Sequence, residues 1–191
     1  MRRKGFTLVE LLIVIVVIGV LSTMMMLSST EAVSSAKAIN IISNMRNIKT
    51  AVLSWYTDNL DRVNNKFEIY SNTKQAYQKA YNFWGDGSGG GYDEVKKYLS
   101  NEDSIKFAKW TGYGGGTRSS YVIEQTKNGT DWVVGYMLSN SEEKTIAGKL
   151  KSRASSVGLF AGDASPWNIK FDESGYYDGG NAVWMKILSF N

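Results

Sequence analysis

The sequence contains no cysteine and no histidine. Without cysteine the chain can form neither a disulfide bond nor a zinc–thiolate site, and it offers no thiol nucleophile. Without histidine it lacks the commonest general base and the commonest metal ligand, so any catalysis would have to use carboxylates, Lys, Tyr or Ser. Both absences argue against an enzyme, and we expect no catalytic residue and no cofactor.

Proline is nearly absent as well, since Pro166 is the only one in the 191 residues. No proline therefore interrupts the first 60 residues. Residues 11–27, LLIVIVVIGVLSTMMML, form an apolar run of roughly membrane-spanning length. The run continues into a second helical pattern instead of ending at a cleavage site and a loop, which argues against a secretory signal peptide.

Beyond this run the apolar residues recur at the spacing of one helix face. They are Ala32, Ala36, Ile39, Ile42, Met45, Ile48, Val52 and either Trp55 or Tyr56. Polar residues between them, which include Asn44, Arg46 and Lys49, are assigned to the opposite face. The pattern predicts one helix from Phe6 to about Asn59, apolar all round in its first half and amphipathic in its second.

One carboxylate, Glu10, lies at the start of the apolar run. A charge inside hydrocarbon costs at least ~2.5 kcal/mol even on lenient insertion scales, so an intramembrane acid is by default a functional residue whose partner has to be found. The alternative is a side chain that merely extends toward the lipid headgroups from one turn inside the membrane.

Residues 4–10, KGFTLVE, resemble the class III signal of type IV pilins and of the related pseudopilins of type II secretion and competence systems. That signal combines a short basic leader, a glycine, a phenylalanine and, after three further residues, a glutamate at the start of an apolar helix. The resemblance implies that a prepilin peptidase cuts between Gly5 and Phe6 and methylates the new Phe6 amine. It also implies that the apolar helices of many copies pack in the core of a filament, built by an inner-membrane assembly platform.

The implied cut supplies a partner for Glu10. In a helical array the Glu10 carboxylate of one subunit can lie against the Phe6 amine of a neighbour, which converts a lone buried charge into an ion pair. Removing one member of a buried pair costs roughly 3–5 kcal/mol, so the pair would also fix the register between subunits. We expect a single-pass precursor in the cytoplasmic membrane and a mature protein in an extracellular pilus or at the cell surface.

The net charge of +4 comes mostly from residues that the implied cut removes. Loss of Arg2, Arg3 and Lys4 lowers the net charge to +1, so the mature chain is nearly neutral and predicts no polyanionic partner. The lysines between Lys96 and Lys109 are interspersed with acids, which favours a solvated surface over a nucleic-acid-binding patch. We expect no specific nucleic-acid partner.

Three functions remain open from the sequence. The first is a structural subunit of a type IV pilus that serves adhesion, motility or related surface functions, and the second is a pseudopilin of a type II secretion or competence system. The third is a membrane-anchored enzyme or binding protein, which would need neither the cut site nor Glu10. Many major pilins carry a proline where Leu27 stands here, whereas Gly19 matches the family pattern, and this departure favours a minor pilin or a pseudopilin.

Residues 60–191 are predicted to form a globular head. Short helices are predicted over 73–84 and 93–99, and Gly-rich loops over 85–92 and from Thr111. Strands are predicted over 119–125, 131–139, 157–163 and from Ala182, with Asn128-Gly129 as a hairpin turn between the first two. Residues 141–152 are predicted to be helical, with Ser139 and Glu142 at capping-box spacing.

This order of elements predicts an α+β, pilin-like fold in which the long N-terminal helix packs against a C-terminal antiparallel sheet. Ile48, Val52 and Trp55 are expected beneath the sheet. The predicted divisions are a leader at 1–5, a transmembrane or filament-core helix at 6–30, its amphipathic continuation at 31–59, and the head at 60–191.

Three acids, Asp163, Asp172 and Asp178, lie in a Gly-rich C-terminal stretch. Some pseudopilins bind calcium in a C-terminal loop, so the resemblance makes these residues candidate ligands. Calcium requires six to eight oxygen ligands, and no EF-hand spacing is present. The residue pattern therefore favours solvated loop acids and no metal.

Overall fold

The computed structural model describes residues 6–60, 91–101, 105–107, 119–126, 131–162 and 169–189. Its helices are α1 (Leu8–Asp58), α2 (Gly91–Lys96), α3 (Asn140–Lys151) and α4 (Ala154–Val157), with a 3-10 turn at Glu173–Gly175. Its strands are β1 (Ser120–Gln125), β2 (Asp131–Met137), β3 (Leu159–Ala161) and β4 (Ala182–Ser189). A long helix followed by an antiparallel four-stranded sheet is an α+β arrangement, which confirms the predicted fold class.

Helix α1 is a single helix of 51 residues, Leu8–Asp58, which corresponds to a length of about 76 Å. Its bounds confirm the predicted span to within two residues. The helix continues through Gly19 and Leu27 without a break. It ends at Asn59, whose backbone N–H donates to the carbonyl of Tyr56 at 3.2 Å.

The second half of α1 packs beneath the sheet, as predicted. Its buried apolar residues are Ala38, Ile41, Ile42, Met45, Ile48, Ala51, Val52 and Trp55. They form one cluster, here called the inner cluster, with residues of all four strands. The strand residues in it include Ile123, Trp132, Val134, Leu159, Val183 and Met185. Burial of this face is the main force that holds α1 to the sheet.

The predicted face of α1 is wrong below Ile41. Ala36 is exposed and Ile39 is 51% exposed, so neither belongs to the core. Each step of three residues falls short of a full helical turn by about 60°, and a chain of such steps therefore spirals off the buried face. Ser34 and Ala38 occupy the buried positions instead.

The predicted solvent-facing position of Asn44 is also wrong. Its Nδ2 donates to the hydroxyl of Tyr121 at 3.1 Å, and its Oδ1 accepts from Asn101 at 3.3 Å. A polar residue can lie at the edge of a core when both ends of its amide find partners. Asn44 thus links α1 to β1.

The strands follow the order β1-β2-β4-β3, and each neighbouring pair is antiparallel. The predicted pairing of β1 with β2 is confirmed, with Ile123 opposite Val134. The last strand in the chain, β4, lies between β2 and β3. Each edge strand of the sheet, β1 and β3, is hydrogen-bonded to a short segment outside the sheet. In β1, the N–H of Tyr121 donates to the carbonyl of Lys106. In β3, the carbonyl of Leu159 accepts from the N–H of Tyr177. These segments occupy part of each edge and so hinder pairing of the edge strands with strands of other chains.

The outer face of the sheet, away from α1, carries a second hydrophobic cluster. This outer cluster contains Val122, Val133, Met137, Phe160, Ala182 and Trp184. Ile169, Phe171 and Tyr176 pack over it. Because β2 and β4 are covered on both faces, their sequences are continuous apolar runs without an alternating pattern. The sequence pattern predicts a core only on the face that contacts α1, so this second core is a finding of the structure.

Trp184, the largest residue of the outer cluster, is fully buried. Its register partner in β2 is Gly135. A Cβ atom at Gly135 would lie 2.5 Å from the Trp184 ring, and one at Gly162 would lie 2.7 Å from it. Absence of a side chain at these two positions makes room for the indole.

Two predicted boundaries are corrected. Gly91 and Tyr92, predicted as loop, begin α2. Val157, predicted as the start of a strand, ends α4, and Gly158 in the left-handed region (φ 74°) separates it from β3. The predicted helix at 73–84, the loop residues 85–90 and 111–118, and the turn at Asn128-Gly129 lie outside the described residues.

Candidate functional site

The first turn of α1 is closed by a reciprocal capping box between Thr7 and Glu10. The backbone N–H of Glu10 donates to Thr7 Oγ1 at 3.3 Å. In return, Glu10 Oε2 accepts from both the backbone N–H and the hydroxyl of Thr7, each at 2.8 Å. The carboxylate also lies in the first turn, where the helix dipole favours a negative charge. Glu10 therefore has hydrogen-bond partners within its own chain before any neighbouring subunit contacts it.

Thr7 is a residue that the sequence analysis missed. Its signal was present, because Thr followed three residues later by Glu is the capping-box pattern. The same pattern correctly predicted the start of α3, where Glu142 Oε2 accepts from the N–H of Ser139 at 2.8 Å and the N–H of Glu142 donates to Ser139 Oγ at 3.3 Å.

The apolar part of α1 is uncovered within the single chain. From Phe6 to Met25 every large apolar side chain is at least 46% exposed, and Phe6 is 81% exposed. Within the described part of the chain, α1 is the one helix long and apolar enough to cross a membrane. An exposed aliphatic surface of this size is typical of a segment covered by lipid or by other protein.

The predicted processing and assembly residues are only partly described. Gly5 lies outside the described residues, whereas Phe6 and Glu10 are both exposed at the start of α1. The predicted contact of Glu10 is with Phe6 of a different copy, so a single chain does not bring the pair together. Their ion pair stays a prediction.

The three candidate calcium ligands do not form a described site. Asp163 lies outside the described residues, and Asp178 is exposed. Asp172 caps the 3-10 turn, where its Oδ1 accepts from the backbone N–H of Ser174 at 2.9 Å and from the Ser174 hydroxyl. These hydrogen bonds hold the pKa of Asp172 below its usual value. Over the ranges that the structure describes, no group of three or more acidic side chains is placed to hold a metal ion.

Glu142 ties α3 to the sheet. Besides its capping bonds, Oε2 accepts from the Ser119 hydroxyl at 2.7 Å and Oε1 accepts from the Tyr136 hydroxyl at 3.0 Å. Burial pushes the pKa of Glu142 upward, but the hydrogen bonds from Ser139, Ser119 and Tyr136 together outweigh it and leave the pKa below its usual value. The ionised carboxylate therefore stabilises this junction at neutral pH.

Glu124 shows the opposite behaviour. It lies in β1 two residues from Val122, hence on the outer face of the sheet. Burial raises the pKa of Glu124 to about 7, from an ordinary value of 4.5. A carboxyl group whose pKa is raised in the folded state favours folding below its unfolded pKa, and this contribution is lost as the pH rises through the folded pKa.

Glu124→Gln should therefore flatten part of the pH dependence of stability. Relative to the unaltered chain, the free energy of unfolding of the variant is expected to rise by about 2–3 kcal/mol between pH 4 and pH 8. Thermal unfolding of both proteins at several pH values measures this difference. A difference that is constant across the pH range would contradict the assigned burial of Glu124.

Residues 1–26 match the family model described as the prokaryotic N-terminal methylation motif. This motif is the class III signal of type IV pilins and pseudopilins, so the resemblance of KGFTLVE is confirmed. No curated protein and no solved structure matches the chain. The motif and the exposed apolar helix together support a type IV pilin-like or pseudopilin precursor.

Proposed function

We propose that this chain, which carries the class III signal at its N-terminus, is a structural subunit of a type IV pilus. It is cut by prepilin peptidase and polymerises through its N-terminal helix for adhesion, motility or related surface functions. The observation that carries the proposal is the uncovered apolar surface from Phe6 to Met25, which lies within the matched residues 1–26. Such a surface is expected in a subunit that is completed by its neighbours.

In this proposal the parts of the chain have separate roles. Residues 1–5 are removed, and residues 6–30 lie in the inner membrane before assembly and in the filament core afterwards. Residues 31–59 connect this helix to the head, and residues 60–191 are displayed on the surface of the filament. The partners are further copies, related pilins, prepilin peptidase and the assembly platform. The proposed role is structural, as the methylation motif suggests.

A pseudopilin of a type II secretion or competence system is the second candidate. The unbroken path of α1 through Gly19 and Leu27 favours it, because a major pilin of the family often has a helix-breaking proline late in this segment. Electron microscopy of normally expressing cells would separate the two: filaments that extend beyond the cell surface would favour the pilus. A membrane-anchored binding protein, the third possibility, would leave the matched cut site and Glu10 without a use.

The proposal predicts a cut after Gly5. Intact-mass and N-terminal peptide analysis of the mature protein should find Phe6 at the N-terminus, with a methylated amine. Gly5→Val should block the cut, because a side chain there does not fit the narrow peptidase site that the motif implies, and the uncut chain should stay in the membrane.

Gly19→Val is the matched control for Gly5→Val. It introduces the same side chain within the matched motif but 14 residues from Gly5, at a position where no atom beyond the adjacent helix backbone lies within 4 Å of the new Cβ, so cleavage should be normal. A mature chain that begins at Met1 or beyond Leu27 would contradict the assignment of the motif.

A further inference from the structure

A cleft of about 520 Å³ lies between α1 and the β3–β4 side of the sheet. Its walls come from α1, the end of α4, strands β3 and β4, and the segment that covers the outer cluster. The lining residues are Arg46, Lys49, Thr50, Leu53, Val157, Gly158, Phe160, Phe171, Met185 and Lys186. The cleft is broadly open to solvent, and its volume falls within the roughly 300–1,000 Å³ of small-molecule sites.

Two of the three cations in the cleft are available to a ligand. Lys186 is already paired, since its Nζ lies 2.8 Å from Asp131 Oδ1 and 4.7 Å from the centroid of the Phe171 ring. Arg46 and Lys49 are one turn apart on α1. Among the residues that the structure describes, no acidic side chain forms an ion pair with either of them. Both residues line the cleft, Arg46 as an exposed and Lys49 as a half-buried residue, so both charges are accessible to a ligand in it.

The floor of the cleft is apolar and aromatic. Phe160 and Phe171 meet edge to face, with ring centroids 5.1 Å apart and planes at 78°. Leu53, Val157 and Met185 complete this surface. A few charged groups above an apolar floor are the usual composition of a site that binds a small organic molecule.

We propose that this cleft binds a small organic anion, in which a phosphate or carboxylate group is attached to an aromatic or aliphatic body. The guanidinium of Arg46 offers paired donors suited to phosphate or carboxylate oxygens, and Lys49 adds a second positive charge. The body of the ligand packs on Leu53, Val157 and Phe171, the apolar lining residues that are only partly buried. This function is independent of polymerisation through α1 and would add ligand capture to the displayed head.

The position of the cleft favours a soluble ligand over a lipid. Arg46 lies 16 residues beyond Thr30, the predicted end of the membrane segment, which is about 24 Å along the helix. A lipid that remains in the bilayer would not reach the cleft from there.

The test uses the full chain in phosphatidylcholine nanodiscs, with empty discs as the blank. Three probes are titrated separately by calorimetry. Phenyl phosphate presents both the anion and the aromatic body, inorganic phosphate presents the anion alone, and benzyl alcohol presents the aromatic body alone. We expect saturable binding of one phenyl phosphate per chain, with at least tenfold weaker binding of the other two probes. Absence of saturable phenyl phosphate binding, or equal binding of inorganic phosphate, overturns the proposal.

Variants then locate the site. Arg46→Gln combined with Lys49→Gln should weaken phenyl phosphate binding at least tenfold. Lys144→Gln combined with Lys151→Gln removes the same charge from exposed positions of α3 outside the cleft and should change binding by less than twofold. Near-ultraviolet circular dichroism checks that both variants are folded. Equal losses in the two variants would show a general charge effect and would overturn the assigned site.

Discussion

Glu10→Ala is expected to abolish filaments while it leaves membrane insertion and cleavage intact. Insertion should be unchanged or improved, because a charge is removed from the hydrocarbon. Cleavage should persist, because Gly5 and Phe6 are unaltered. Assembly should fail because the Phe6 amine of an incoming subunit would be buried without its partner, at a cost of roughly 3–5 kcal/mol.

The structure supplies the control for this experiment. Glu10 also caps its own helix through Thr7, so Glu10→Ala removes both the cap and the proposed partner of the amine. Thr7→Ala weakens the cap, typically by ~1 kcal/mol, but keeps the carboxylate. Each variant is expressed as the only copy, the cells are sheared, and filaments are counted by electron microscopy. We expect filaments from Thr7→Ala and none from Glu10→Ala.

Two outcomes would contradict the ion-pair account. Abundant filaments that contain Glu10→Ala would mean that the carboxylate only extends toward the headgroups. Equal loss of filaments in both variants would mean that the cap, and not a contact between subunits, is what assembly requires. Mass spectrometry of Phe6 in each variant verifies that cleavage took place.

Gly135→Ala is expected to be among the most destabilising single-methyl changes in the head. The added Cβ would lie 2.5 Å from the ring of Trp184, which is fully buried between β2 and the cover of the outer cluster. Overpacking of this kind costs about 1–3 kcal/mol, and a fully buried indole with little freedom to move favours the upper part of that range. Thermal unfolding followed by near-ultraviolet circular dichroism measures the loss.

Gly148→Ala is the matched control, since it adds the same methyl group where no atom beyond the adjacent helix backbone lies within 4 Å. Gly148 is an exposed residue of α3, so alanine there should stabilise the protein by roughly 0.5–1 kcal/mol. Trp184→Phe should reduce the additional cost of Gly135→Ala, because the smaller ring leaves room for the Cβ. Equal destabilisation by the two glycine substitutions, or strict additivity of Gly135→Ala with Trp184→Phe, would contradict the proposed close contact.

The sequence alone determined the features that depend on local chemistry. The absence of proline and the apolar spacing predicted α1 to within two residues of its observed bounds. The KGFTLVE segment indicated the methylation motif that residues 1–26 match. Ser139 and Glu142 marked the start of α3, and the strand patterns located β1, β2 and β4. All of these signals are carried by residues a few positions apart, so no knowledge of the tertiary structure was required.

The tertiary structure decided what depends on contacts between distant segments. One example is the position of β4 between β2 and β3. The apolar run of β4 indicates that the strand is buried, but it does not specify which strands lie beside it. The place of Asn44 against Tyr121 and the exposure of Ile39 depend on how α1 is rotated beneath the sheet. The cleft joins Arg46 and Lys49 to Phe160 and Phe171, which are more than 100 residues away in sequence. No local pattern could place these groups together, because only packing of α1 against the sheet brings them to one surface.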